Sequence, residues 1–257
     1  MEGGIQPAPD FSPALQRQMK KENNLMTRLF IPCGAVFALL LATQSNAATV
    51  TGKIVFSGAK PAVRNIDMSA NPACERAHST PQKSETAILN INGTLRYTFV
   101  WIKAGLPNKP WPTPTEHAQI DQKGCMYTPH VLAVMTNQPI DIRNDDPTNH
   151  NIHPLPKINQ EWNESQPPKG DPKTKSFPRE EVMIPVKCNV HPWMRAYIGV
   201  VHHPFFAVTG DDGTFTIKNL PAGTYTLEAW HETYGTKDQQ ITVGANDSKT
   251  IDFTYNK

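Results

Sequence analysis

The chain has 257 residues and a formal net charge of +2, from 25 basic and 23 acidic side chains. That balance lacks the basic surplus a nucleic-acid partner would want, and 24 prolines argue against long helices. The length allows one large or two small domains, each with its own core.

Taken in chain order, the first feature is an export signal. Leu29 to Ala42 is a mostly apolar run, preceded by Lys20, Lys21 and Arg28 and followed by Ser45-Asn46-Ala47-Ala48. A charged stretch, an apolar stretch and small residues in that order read as a secretory signal, with cleavage expected after Ala47. The run is too short for a comfortable membrane span, so no membrane span is expected in the mature chain. Residues 1–18 read as an upstream extension, since Met19 or Met26 would begin a more ordinary signal. Cleavage removes Arg17, Lys20, Lys21 and Arg28 with Glu2, Asp10 and Glu22, leaving a near-neutral product expected in the periplasm or outside the cell.

Cys33 leaves with the signal, and Cys74, Cys125 and Cys188 remain. An odd count in an oxidising compartment leaves one thiol without a disulfide partner. The economical pairing is Cys74 with Cys125, which frees Cys188 for a metal; the alternative is that Cys74 and Cys125 are independent thiols.

The rest reads as all-β. Short apolar segments recur between Gly, Pro and Asn/Asp clusters: Val50–Phe56, Leu95–Lys103, Val131–Thr136, Pro139–Arg143, Glu181–Lys187, Arg195–Val201, Thr214–Ile217, Thr224–Trp230, Gln239–Val243 and Thr250–Thr254. Turn signals at Asn92-Gly93, Asp212-Gly213 and Ala222-Gly223 separate several of them. Many short strands with recurring turns suggest sandwiches. One connection, Asn159 to Arg179, is long and polar, as functional or mobile loops often are.

The chemistry concentrates in two short segments. Cys188-Asn189-Val190-His191-Pro192-Trp193-Met194 places a thiolate, an imidazole and a thioether on one loop, and His150-Asn151-Ile152-His153 offers a second imidazole. Two His, one Cys and a weak Met form the ligand set of a blue-copper site. The rival metal is zinc, held by His150, His153, Cys188 and His191 in a closed tetrahedron. That arrangement ignores Met194 and needs two histidines three positions apart on extended chain. His130, close after Cys125, is a weaker candidate ligand. His78, His117, His202, His203 and His231 read as ordinary surface or core histidines. A Cys188–His191 nucleophilic pair lacks an orienting acid, and no paired-carboxylate, G-x-S-x-G or phosphate-loop signature occurs, so no enzyme is expected.

Two family resemblances follow from these motifs. The segment 67–206, through His150-Asn151-Ile152 and Cys188-x2-His191-x2-Met194 followed by Ala196–Val201, resembles the cupredoxins, amicyanin and plastocyanin most closely. That resemblance implies a Greek-key β-sandwich and one copper ion held by His150, Cys188, His191 and Met194. It also implies that the Asn151 side chain ties the two ligand loops. Single electrons would pass through a solvent edge of His191, inside an apolar docking patch of Pro154, Leu155, Pro156, Pro192 and Trp193. The partner would be a cytochrome or a periplasmic oxidoreductase. The run Asp212-Gly213-x-Phe215-x-Ile217-x2-Leu220-Pro221-Ala222-Gly223-x-Tyr225-x-Leu227 resembles the carboxypeptidase regulatory-like domain, a small prealbumin-type sandwich with a carbohydrate-binding-like fold. It implies a discontinuous domain of 48–66 with 207–257. A glycan or envelope protein would be its ligand, and an exposed Trp230–Tyr234 pair would support a glycan. Copper trafficking is a third function consistent with the ligand set.

Overall fold

The computed structural model describes residues 47–256. The apolar run Leu29–Ala42 and the charged residues before it lie outside those residues. Among the described residues no helix is long and apolar enough to cross a membrane.

The described chain is all-β. β1 (Ala47–Phe56) is followed by an irregular stretch containing one short helix, α1 (Pro72–Arg76). Then come β2 (Phe99–Ala104), β3 (Ala118–Lys123), β4 (Met126–Thr128), β5 (Val131–Met135), β6 (Ile140–Asn144) and β7 (His150–Pro154). β8 (Glu164–Gln166), β9 (Lys173–Lys175), β10 (Glu181–Lys187) and β11 (Arg195–Val201) continue it. The last strands are β12 (Phe206–Val208), β13 (Thr214–Pro221), β14 (Gly223–His231), β15 (Gly235–Val243), β16 (Ser248–Thr250) and β17 (Phe253–Tyr255).

These strands form two sandwiches. In the first, a sheet of order β5-β11-β10-β7-β8 faces one of order β4-β3-β6-β9. Ile120 and Ile142 from one sheet meet Ile152, Ile184, Val186 and Ile198 from the other in a single apolar core. In the second, β13-β1-β16 with β17 on β1 faces β12-β2-β14-β15. Its core includes Val50, Ile54, Val100, Phe215, Leu227 and Phe253. β1 and β6 alternate buried and less buried positions, as strands with one covered face must.

Strands β3, β4, β7 and β12 fall in stretches for which the sequence reading proposed no strand, and two further features depart from it. Residues 95–103 were expected in the segment 67–206, yet β2 pairs with β12 and β14 of the second sandwich. The reason is that Phe99 to Ile102 are all buried, so this strand has no solvent face. Val100 and Ile102 enter the second core, while Phe99 and Trp101 join Val131, Met183 and Val201 in a third cluster that bonds the two sandwiches. The stretch 159–179 is not a free connection either. β8 pairs with β7 and β9 pairs with β6, so backbone hydrogen bonds anchor it despite its polar sequence.

Candidate metal centre

Strand register places the two ligand segments side by side. β7 runs antiparallel to β10, with His153 opposite Lys187 and Pro154 opposite Val186. The first half of β7 therefore lies beside the chain that continues past Lys187 into the loop 188–194. That loop is closed by its own backbone: Cys188 N–H donates to Met194 O (3.2 Å) and Met194 N–H donates to His191 O (3.0 Å). β10 and β11 pair at Lys187–Arg195, which fixes both loop ends.

One donor atom from each of His150, Cys188 and His191 lies within 4.8 Å of the others, and all three residues are buried. The two Nδ1 atoms are 2.9 Å apart, and Cys188 Sγ is 3.8 Å from His191 Nδ1. A trigonal ion with metal–nitrogen bonds near 2.0 Å and a metal–sulfur bond near 2.3 Å requires separations of about 3.5 and about 3.8 Å. The residues therefore fit a metal ion with only a small parting of the imidazoles. Met194 is fully buried in the same core as Cys188. Cys188 is the free cysteine among the described residues; Cys74 and Cys125 form a disulfide with Cα atoms 5.5 Å apart.

The surrounding hydrogen bonds select protonation states. Burial pushes the Cys188 thiol up, but hydrogen bonds from His150 and from the backbone of Asn151, His191 and Val190 outweigh it and favour the thiolate. Asp146 Oδ2 sits 2.8 Å from His150 Nε2. The same carboxylate accepts the N–H groups of Gly124 (2.6 Å) and Cys125 (2.7 Å). Burial pushes the Asp146 carboxyl up, but those bonds outweigh it and hold it below the usual carboxylate range. Burial disfavours the charged form of His150, yet Asp146 and Cys188 outweigh that and raise it. His191 lacks such a partner; burial, then the nearby His150, lower it to about 4.

Asn151 joins the two ligand segments. Its Oδ1 accepts Asn189 N–H (2.7 Å) and lies 3.3 Å from Cys188 Sγ, while its Nδ2 donates to Asn163 Oδ1 (2.7 Å). The Tyr127 hydroxyl donates to Asn151 O (2.5 Å). Sequence reasoning missed Asp146, Tyr127, Asn163 and, on the far side, Asn71, whose Nδ2 is 2.7 Å from His191 Nε2. None of the four stands at a spacing from the ligand residues that a sequence rule would single out.

Several expectations need correction. His191 has no solvent edge: it is buried, with Asn71 Nδ2 and Cys74 Sγ (3.5 Å) over its Nε2. The irregular segment after β1, tethered by the Cys74–Cys125 disulfide, covers the His191 edge that was expected to face solvent. The expected patch is accordingly broken up. Pro154 is buried, Leu155, Pro156 and Trp193 are half-buried, and Pro192 is exposed. The Trp193 indole N–H donates to Cys125 O (3.1 Å). The four-ligand zinc set is not assembled. His153 lies three positions after His150, on the opposite face of the strand, with Glu161 (2.6 Å) and Asn189 (3.2 Å) as partners. His130 is bound to Glu232 and Arg195 O instead of the ligand cluster. Trp230 and Tyr234 are half-buried packing residues. Trp230 lies on Tyr197 (ring centroids 4.9 Å) and Tyr234 on Phe56 (4.9 Å) and His231 (4.8 Å).

Fold and site together define an all-β protein of two sandwiches with a buried cluster of His150, Cys188 and His191 in the first. Residues 195–256 match the model of the carboxypeptidase regulatory-like domain family, a match that begins in β11 and covers β12 to β17. Among solved structures, the chain is similar to a purple cupredoxin from Nitrosopumilus maritimus, at 23% identity over 32% of this chain and 98% of the other (TM-score 0.28). It is similar to an amicyanin mutant in its Cu(I) form at 16% identity over 39% and 97% (TM-score 0.30). A Cu-containing nitrite reductase from Thermus scotoductus SA-01 aligns at 16% identity over 36% and 25% (TM-score 0.29). At those scores the structural likenesses carry no functional argument. No curated protein matches the chain.

Proposed function

We propose that this is an exported type 1 copper protein that carries single electrons between redox partners and catalyses no reaction alone. The observation that carries the reading is the convergence of His150 Nδ1, His191 Nδ1 and Cys188 Sγ in one buried cluster, with Met194 closing the same loop. Copper bound there supplies a one-electron couple. The chain supplies the rest. Asp146 holds the His150 proton on Nε2 and leaves Nδ1 as the donor. The Asn151 backbone favours the thiolate, and its side chain pins the loop to β7. Strands on both sides of the loop keep the donor positions constant between charge states. Burial of all three donors excludes water and favours retention of the ion over the exchange that trafficking needs.

With the His191 edge covered, the outlet that fits is on the Cys188 side. Cys188, Asn189 and Pro192 line a groove of about 450 Å³ with Leu155, Pro185 and Tyr197. Val190 beside it is 55% exposed. Small, partly apolar surfaces suit transient redox encounters, and a cytochrome or a periplasmic oxidoreductase is the partner class proposed. The second sandwich is proposed as the envelope-facing module. The packing roles of Trp230 and Tyr234 weaken a glycan ligand there.

The test is the visible spectrum after one equivalent of Cu(II), beside Cys188→Ser. The expected outcome is an intense blue thiolate-to-copper band that mild reductant bleaches and the variant lacks. A colourless protein that prefers zinc would overturn the reading.

A further inference from the structure

We propose that Asn71 is a positioning residue for His191, and that its side chain serves either the start of α1 or the metal-bound imidazole, but not both. This inference rests on the metal-centre reading above. With both imidazoles neutral, the hydrogen bonds around the cluster close in one proton arrangement, in which His150 does not donate to Cys188. His150 carries its proton on Nε2, facing Asp146 Oδ2, and its Nδ1 accepts from His191 Nδ1–H at 2.9 Å. His191 Nε2 is then a lone pair, and Asn71 Nδ2 donates to it at 2.7 Å. The other end of the same amide is also engaged: Asn71 Oδ1 accepts the N–H groups of Ala73 (3.1 Å) and Cys74 (3.3 Å) and caps α1.

A metal ion changes one of these requirements. His150 already presents Nδ1, because Asp146 holds the proton on the far nitrogen. His191 can offer Nδ1 only if its ring proton moves to Nε2. There the N–H meets the Nδ2 donor of Asn71, and the neighbouring Cys74 Sγ at 3.5 Å is a weak acceptor. Turning the Asn71 amide over gives the imidazole N–H an oxygen but withdraws the acceptor from Ala73 and Cys74. Metal occupancy is therefore coupled to the cap of the disulfide-tethered segment. An aspartate at position 71 would remove the conflict, since a carboxylate offers one oxygen to each side.

The experiment compares backbone hydrogen exchange at Ala73 and Cys74 in the full protein with and without Cu(I), which is diamagnetic, for the wild type, Asn71→Asp and Asn71→Ala. In the wild type, loading should speed exchange at these two amides on the order of fivefold, the value of one lost cap, and leave β10 amides unchanged. Asn71→Asp should abolish the metal dependence. Asn71→Ala should exchange fast in both states. A carboxylate on Nε2–H also makes the imidazole a stronger donor. Asn71→Asp should thus favour Cu(II) over Cu(I) by about tenfold, a 59 mV fall in potential for one electron. Equal protection of Ala73 and Cys74 with and without metal in the wild type would overturn the coupling while leaving the metal centre intact. Failure of the wild type to bind Cu(I) would overturn the metal-centre reading and this inference with it.

Discussion

At the scale of single residues, the centre depends on groups whose role is to hold other groups. Asp146 is the clearest case. It fixes the His150 tautomer and accepts the backbone N–H groups of Gly124 and of the disulfide cysteine Cys125. Replacing it by alanine leaves His150 free to rotate and strips those N–H groups of their acceptor. Loss of such an outer hydrogen bond costs about 10–100-fold in metal affinity. Asp146→Ala should show that fall in competition with a chelator, whereas Asp145→Ala, an exposed neighbour paired with Arg143, should bind as the wild type does. The meeting of His150, Cys188 and His191 was legible in the sequence, because Cys188 and His191 share a loop and His150 belongs to a motif of its own. Asp146 and Asn71 were not, because an orienting role depends on which atoms the fold brings within 3 Å.

At the scale of elements, β10 does more than carry Cys188. Its first residue, Glu181, reaches back to the turn after β7, accepting the N–H groups of Lys157, Ile158 (3.1 Å) and Asn159 (2.9 Å). Burial opposes its ionisation, but these bonds outweigh burial and hold the carboxyl below its usual range. A depressed folded-state value means the stabilisation is complete above the ordinary glutamate range and is lost as pH falls through the folded value. Glu181→Gln should therefore lower stability by roughly 1–3 kcal/mol at pH 7. The gap between wild type and variant in urea titrations should narrow as pH drops below about 4.5. A gap that stays constant with pH would show that the charge is not the source. Sequence patterning read β10, β11 and β14 well, since their apolar periodicity and turns are local. It missed β8 and β9, which are short, polar and held as strands by backbone pairing to β7 and β6.

At the scale of the whole molecule, the two sandwiches are joined through an apolar cluster in which β2 is the central element. β2 hydrogen-bonds within the second sandwich, yet Phe99 and Trp101 turn toward Val131, Met183 and Val201. A sequence reading could not place this strand, because a fully apolar run fits either core and alternation gives no direction. Gly199 of β11 lies directly against this contact: a Cβ there would come within 2.6 Å of Met183 Cε and 3.3 Å of the Phe99 ring. The absent side chain lets β2 and β11 approach. A shared apolar interface of this kind couples the two cores, so heating should unfold them in one transition. Phe99 is fully buried, and truncating such a ring costs about 3–5 kcal/mol. In this chain much of that loss falls on the junction instead of on either core. Phe99→Ala should therefore split the calorimetric transition in two, with bound metal raising only the midpoint of the sandwich that holds Cys188. A single transition that merely shifts down, and that metal raises as a whole, would mean that the covalent and loop connections couple the sandwiches without this cluster.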